Sequence, residues 1–140
     1  SEEAKAIAKN MKKFYIIGGI GAVSAEIETE LGMYGEVVRV AGKSRYETSV
    51  AVAETFFADV DKAVAASGKN FPDGLCGGPL AAAMDAPLIL TADGKTEAAA
   101  AYMTENAIGS GYVLGGSGAL ADETIVDVFG RENIENITAK

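Results

Sequence analysis

Short, uninterrupted apolar runs alternate with helix-period segments along the whole of this chain, and no other feature restricts the fold as strongly. Phe14–Ile17, Val37–Val40, Lys62–Ala66, Pro87–Thr91 and Tyr112–Leu114 read as strands, with residues 134–138 as a short sixth. Between them lie helical segments over residues 2–12, 22–31, 45–58, 96–106 and 120–129. Strands that are apolar throughout, rather than on every second residue, belong in a parallel sheet covered on both faces. Right-handed crossovers then put helices on the two sides. The expectation is α/β: a three-layer, doubly wound, Rossmann-like αβα sandwich around a mainly parallel sheet of about five strands. The segment NFPDGLCGGPLAAAMD at 70–85 fits this least well. Gly77, Gly78 and Pro79 weaken a helix, so a turn is expected at 70–74 and a firm helix only from Pro79, with Asp73 as a cap.

The 140 residues suit a single domain over 1–140, and a chain of this length can bury a true core. Lys and Arg number 12 against 20 Asp and Glu, a net charge of −8 that repels nucleic acid. The chain has no His, which removes a Ser-His-Asp triad and every imidazole ligand. Cys76 is the lone cysteine, so no internal disulfide forms, and no metal site or cofactor is expected. No stretch is long and apolar enough to span a membrane. No signal peptide opens the chain, which fits a trimmed mature fragment.

The sequence also repeats itself. YIIGGIGAVSAEI at Tyr15 returns 97 residues later as YVLGGSGALADET at Tyr112. Gly18, Gly19, Gly21 and Ala22 recur in register as Gly115, Gly116, Gly118 and Ala119, and the helix before each strand corresponds after a longer loop at 108–111. The chain therefore holds one full unit and part of a second, as in proteins built from stacked modules. In the second copy Asn136 is expected at the place of Arg39, and Ala139 at that of Gly42.

Two features carry candidate chemistry. Gly19-Ile-Gly21-Ala-Val-Ser24 follows a strand and opens a helix, as a phosphate-binding turn does. Its third glycine is Ser24, however, and tight turns that let helix pack on sheet explain both copies. That role falls to Gly18, Gly19, Gly115 and Gly116. The second feature is VVRVAGKSRYET at Val37–Thr48: a strand, a turn at Gly42, and a helix opened by Ser44 and Glu47 at capping-box spacing. Arg39, Lys43, Arg45 and Tyr46 crowd this turn, as an anion-binding rim or as a contact to a neighbouring module.

These residues resemble the cell-wall-binding repeat 2 modules of Gram-positive surface proteins. The resemblance rests on Ile16-Ile-Gly-Gly with Ala22-Val-Ser24 and on Arg39-Val-Ala-Gly42-Lys-Ser-Arg45-Tyr46-Glu-Thr48. It continues through Asn70-Phe-Pro-Asp73-Gly-Leu75, Pro79-Leu-Ala81, Ala86-Pro-Leu-Ile-Leu-Thr91 and Tyr112-Val-Leu-Gly-Gly116. Pro72-Asp73-Gly74 and the Gly77-Gly78 pair depart from the family's usual pattern. The resemblance implies a Rossmann- or Toprim-like module without catalysis, used in tandem copies that commonly pack three together. It also implies non-covalent retention of a secreted or surface protein on an anionic cell-wall polymer. Two other functions stay open: a small nucleotide- or phosphate-binding enzyme, and a self-assembly module with no polymer ligand.

Overall fold

The computed structural model describes residues 1–139, with the backbone alone at Phe71; Lys140 lies outside the described residues. Helices and strands alternate as α1 (Glu2–Ala8), β1 (Lys13–Ile17), α2 (Ala25–Gly32), β2 (Glu36–Val40), α3 (Arg45–Phe56) and β3 (Lys62–Ser67). They continue as α4 (Phe71–Ala83), β4 (Leu88–Thr91), α5 (Glu97–Glu105), β5 (Ser110–Leu114), α6 (Asp122–Phe129), a 3-10 helix (Arg131–Asn136) and β6 (Ile137–Ala139). Every strand pair is parallel, as continuous apolar strands with helical crossovers require.

The strands form two sets: the pair β1-β2 and a four-stranded sheet ordered β4-β3-β5-β6. The α/β class is as the sequence demands, but the expected single sheet of about five strands is divided. Both edges of β3 are taken, by β4 and β5, and on the free edge of β4 the Leu90 N–H donates to the Ser49 hydroxyl of α3 at 2.9 Å.

The largest core cluster lies on the four-stranded sheet. Ala63, Ala65, Ile89 and Val113 pack with Ala53 of α3, Ala99, Tyr102 and Met103 of α5, and Val128 and Phe129 of α6. No residue before Val50 belongs to it. Helix α4 covers the opposite face, and it corrects the expectation of a turn followed by a helix from Pro79. It is helical from Phe71, with Asn70 at the cap position and Pro79 inside on the exposed side. The two glycines that argue against this helix are what seat it. A Cβ on Gly77 would meet Cδ1 of Leu88 and of Leu114, each at 2.9 Å, and one on Gly74 would touch Leu90 at 3.7 Å. Close approach to the sheet offsets the backbone bond that Pro79 gives up. Asp73 accordingly lies in the first helical turn, not at the cap.

The N-terminal elements depart from expectation in one direction. Helix α1 ends at Ala8 rather than at residue 12, and α2 has no buried residue, with Ile27 exposed. The internal repeat, by contrast, recurs in backbone detail. Gly18 and Gly115 both hold positive φ, 112° and 97°, and in each copy the first alanine N–H bonds the second glycine's carbonyl. Those bonds are Ala22 N to Gly19 O at 2.9 Å and Ala119 N to Gly116 O at 2.8 Å. The strand register corrects the second half of the alignment. Phe14 pairs with Val37, and its counterpart Gly111 pairs with Ile137, so Arg39 corresponds to Ala139 and not to Asn136. The 3-10 helix at Arg131–Asn136 takes up the additional residues.

Candidate functional site

The conspicuous Val37–Thr48 stretch closes a turn on itself. Beyond β2, the Gly42 N–H donates to Thr48 Oγ1 at 3.0 Å. A Cβ at Gly42 would strike Glu47, whose carbonyl carbon lies 2.6 Å from that point, so no other residue fits without movement. Ser44 caps α3 by accepting the Tyr46 N–H at 3.1 Å, and its hydroxyl donates to the Glu47 carboxylate. The capping-box pair therefore meets, with the hydroxyl as Glu47's main partner. That hydroxyl, followed by Glu47's own backbone N–H, holds the carboxyl below its usual range.

The cations divide into two kinds. Arg39 is largely buried and committed. Its Nη1 donates to the Gly18 carbonyl at 2.7 Å, its Nε and Nη2 both reach Glu28 Oε2 at 3.0 and 2.9 Å, and Nη2 also points at Ser24 O. It ties β2 to the β1–α2 turn. Arg45 donates Nη1 to the Gly68 carbonyl at 2.8 Å. The Tyr46 ring lies over Gly68, where a Cβ would come 2.5 Å from Cε1. Arg45 and Tyr46 thus clamp the start of α3 to the end of β3. Lys43 is exposed and makes no ion pair among the described residues.

Two cations that the sequence reading did not single out share that position. Lys69 and Lys95 are exposed, form no ion pair among the described residues, and lie in the loops after β3 and β4 as Lys43 lies in the loop after β2. Ser44, Tyr46, Glu47, Lys95, Glu97 and Ala98 line one shallow hollow of about 200 Å³. β3 and β4 are parallel neighbours, so the loops after them share one end of their sheet, and the Arg45–Gly68 bond and this hollow bring the start of α3, just after Lys43, to the same end. Each lysine standing just past a strand was the available signal. Nearby, Asp93 accepts the Thr124 hydroxyl at 2.6 Å and the Ala121 N–H at 3.1 Å, tying the loop after β4 to the start of α6. Those two bonds, the hydroxyl first, hold its carboxyl below the usual aspartate value.

The glycine turn after β1 is furnished as a structural turn. Arg39 occupies the Gly18 carbonyl. The Glu26 carboxyl in the first turn of α2 is lowered by the Ser24 hydroxyl and then by its own backbone N–H. Positive φ requires glycine at Gly18 and Gly115, whereas Gly19 and Gly116 have open space around an added Cβ. In the second copy Asp73 Oδ2 comes 2.8 Å from the Cβ position of Gly115. Cys76 is exposed on α4. Among the described residues no three His, Cys, Asp or Glu side chains form a metal-holding group, and no helix is long and apolar enough to cross a membrane.

The comparisons with known proteins agree with one another. The model of cell wall binding domain 2 (CWB2) matches residues 39–125. The amidase enhancer of Bacillus subtilis is 40 % identical over 90 residues, covering 64 % of this chain and 13 % of that protein. The N-acetylmuramoyl-L-alanine amidase LytC of the same organism is 32 % identical over 128 residues, covering 87 % of this chain and 25 % of the enzyme. Among solved structures, Cwp6 and Cwp8 from Clostridium difficile superpose with TM-scores of 0.83 and 0.80 at 25 % and 26 % identity. They cover 99 % and 98 % of this chain, which spans 24 % of each of them. The chain thus spans a quarter or less of each of these relatives.

Proposed function

Because the chain belongs to the cell wall binding domain 2 family, we propose that it holds a longer secreted protein on the cell surface by binding an anionic wall polymer, without catalysis of its own. The observation that carries this reading is the rim at the carboxyl ends of β2, β3 and β4. There Lys43, Lys69 and Lys95 stay exposed and unpaired among the described residues of an acidic chain. Repulsion from the chain's net charge is screened beyond about 8 Å at physiological salt, so three local ammonium groups decide the encounter. In this reading Lys43 meets the polymer, while Arg39, Arg45 and Tyr46 hold the turn that presents it. Binding by one module is weak in this reading, and tandem copies gain by effective concentration.

The test is co-sedimentation of the folded domain with Gram-positive cell walls, before and after acid extraction of their anionic polymers. Binding is expected to fall on extraction, to weaken with added salt, and to drop in a Lys43→Ala/Lys69→Ala/Lys95→Ala variant. Unchanged retention of that variant at native stability would remove the rim from the reading. Retention on extracted walls would remove the anionic polymer.

A further inference from the structure

The internal repeat offers a template for what the N-terminal unit is built to touch. Strand β5 uses both edges, one against β3 and the other against β6. Its counterpart β1 uses only the edge facing β2. The Gly18 N–H bonds the Val40 carbonyl on β2, and backbone direction alternates along a strand. The N–H groups of Tyr15 and Ile17 therefore point away from β2, at the positions from which Tyr112 and Leu114 face β3 in the second copy.

Side-chain exposure follows the same asymmetry. In the second copy Tyr102 and Ile108 are each 2 % exposed. Ile7, in the helix before β1, is 62 % exposed, and Met11, 97 residues before Ile108, is 48 % exposed. Tyr15 and Ile17 are 44 % and 46 % exposed. Helix α5 is buried by α3, α6 and β4. The N-terminal unit carries the same apolar pattern without an equivalent of α3, β3 and β4 on that side. Large apolar residues that line one strand edge and the helix beside it mark an interaction surface.

We propose that the open edge of β1, with Ile7 and Met11 beside it, is the seat of an α3–β3–α4–β4 segment from a preceding tandem copy, giving a sheet ordered β4-β3-β1-β2. The partner is a repeat unit of this kind because β5 shows, residue by residue, what such a strand accepts. Transferred from the β3–β5 register, Val64 of the preceding copy stands opposite Tyr15 and Ala66 opposite Ile17. Pairing begins at Tyr15. One residue earlier Phe14 replaces Gly111, whose missing Cβ makes room for the Ala63 carbonyl, so the partner strand diverges there.

The experiment places residues 1–95 ahead of the complete chain, so that α1–β1 of the second copy follows β4 of the first. Hydrogen exchange is then read residue by residue. The Tyr15 and Ile17 amides of the second copy are expected to exchange about 100-fold more slowly than in the 140-residue chain. Ile17→Pro in that copy removes a donor only from the outer edge, which an edge strand tolerates. It is expected to abolish the added protection at Tyr15 and to leave Ile16, which faces β2, unchanged. Equal exchange of Tyr15 and Ile17 in the short and long chains, with Tyr112 and Leu114 protected in both, overturns the proposal. So does a long chain that loses protection at Tyr112 and Leu114, because the seat adds to a fold that already stands.

Discussion

Arg39 stands in the most recognisable motif of the chain, and its contacts give its replacement a definite size. Its side chain is 15 % exposed and that of its partner Glu28 is 37 % exposed. In Arg39→Met the stem is kept and the guanidinium is lost. The charge-assisted bond to the Gly18 carbonyl, 2.7 Å long and at a buried residue, is worth about 1.5–2 kcal/mol, because that oxygen keeps no water in exchange. The pair with Glu28 is half open to solvent and adds about 0.5–1 kcal/mol. The Ser24 contact at 3.4 Å is too long to add much. The total is about 2.5 kcal/mol. With an unfolding entropy of about 2.1 cal/mol/K per residue, that lowers the melting temperature by about 8 °C. Urea unfolding of wild type, Arg39→Met, Glu28→Gln and the double variant measures both the loss and the coupling, expected near 1 kcal/mol. A loss below about 0.5 kcal/mol, with wall retention reduced, would refute this reasoning. It would mean that the guanidinium serves a ligand and not the β1–α2 turn.

The two glycines of the second turn should separate cleanly. Gly115→Ala sets a Cβ 2.7 Å from that of Ala119 at positive φ and is expected to cost about 2–3 kcal/mol in urea unfolding, whereas Gly116→Ala should change stability by less than about 0.5 kcal/mol. Asp93 has a folded-state pKa below its unfolded value, so its contribution is complete above the ordinary aspartate pKa and is lost as pH falls through the depressed one. Stability measured from pH 6 down to pH 2 should decline less steeply in Asp93→Asn than in wild type. Cys76 is exposed, so the native protein should react with a thiol reagent without prior unfolding, and a reaction that requires denaturant would contradict that exposure.

Much of the architecture was legible because its signals are local. Glycine at positive φ, a Ser-x-x-Glu helix start and continuous apolar strands each depend on a few adjacent residues, and so the parallel α/β class, the repeat and the cap of α3 follow from reading order alone. The proposed rim was legible only in part. Arg39, Lys43, Arg45 and Tyr46 form one cluster in sequence, but the fold spends the two arginines and the tyrosine on the backbone at Gly18 and Gly68 and leaves Lys43 free. Which cation is committed depends on carbonyls 21 and 23 residues away, a distance that no local pattern spans.

By itself, then, the sequence determined the element types, their parallel arrangement and the recurrence of the Tyr15 stretch at Tyr112, since backbone preference and hydrophobic period act over a few residues. Tertiary structure decided the remainder. Helix α4 exists through Gly77 and Pro79 because Leu88 and Leu114 lie close beneath it. The strands divide into two sets, with β4 and β5 taking both edges of β3. Lys69 and Lys95 come to the side of Lys43 because Arg45 bonds the Gly68 carbonyl and Ser44 shares a hollow with Lys95. Each of these outcomes is a contact between segments far apart in the chain, whose energy exists only once both have been brought together.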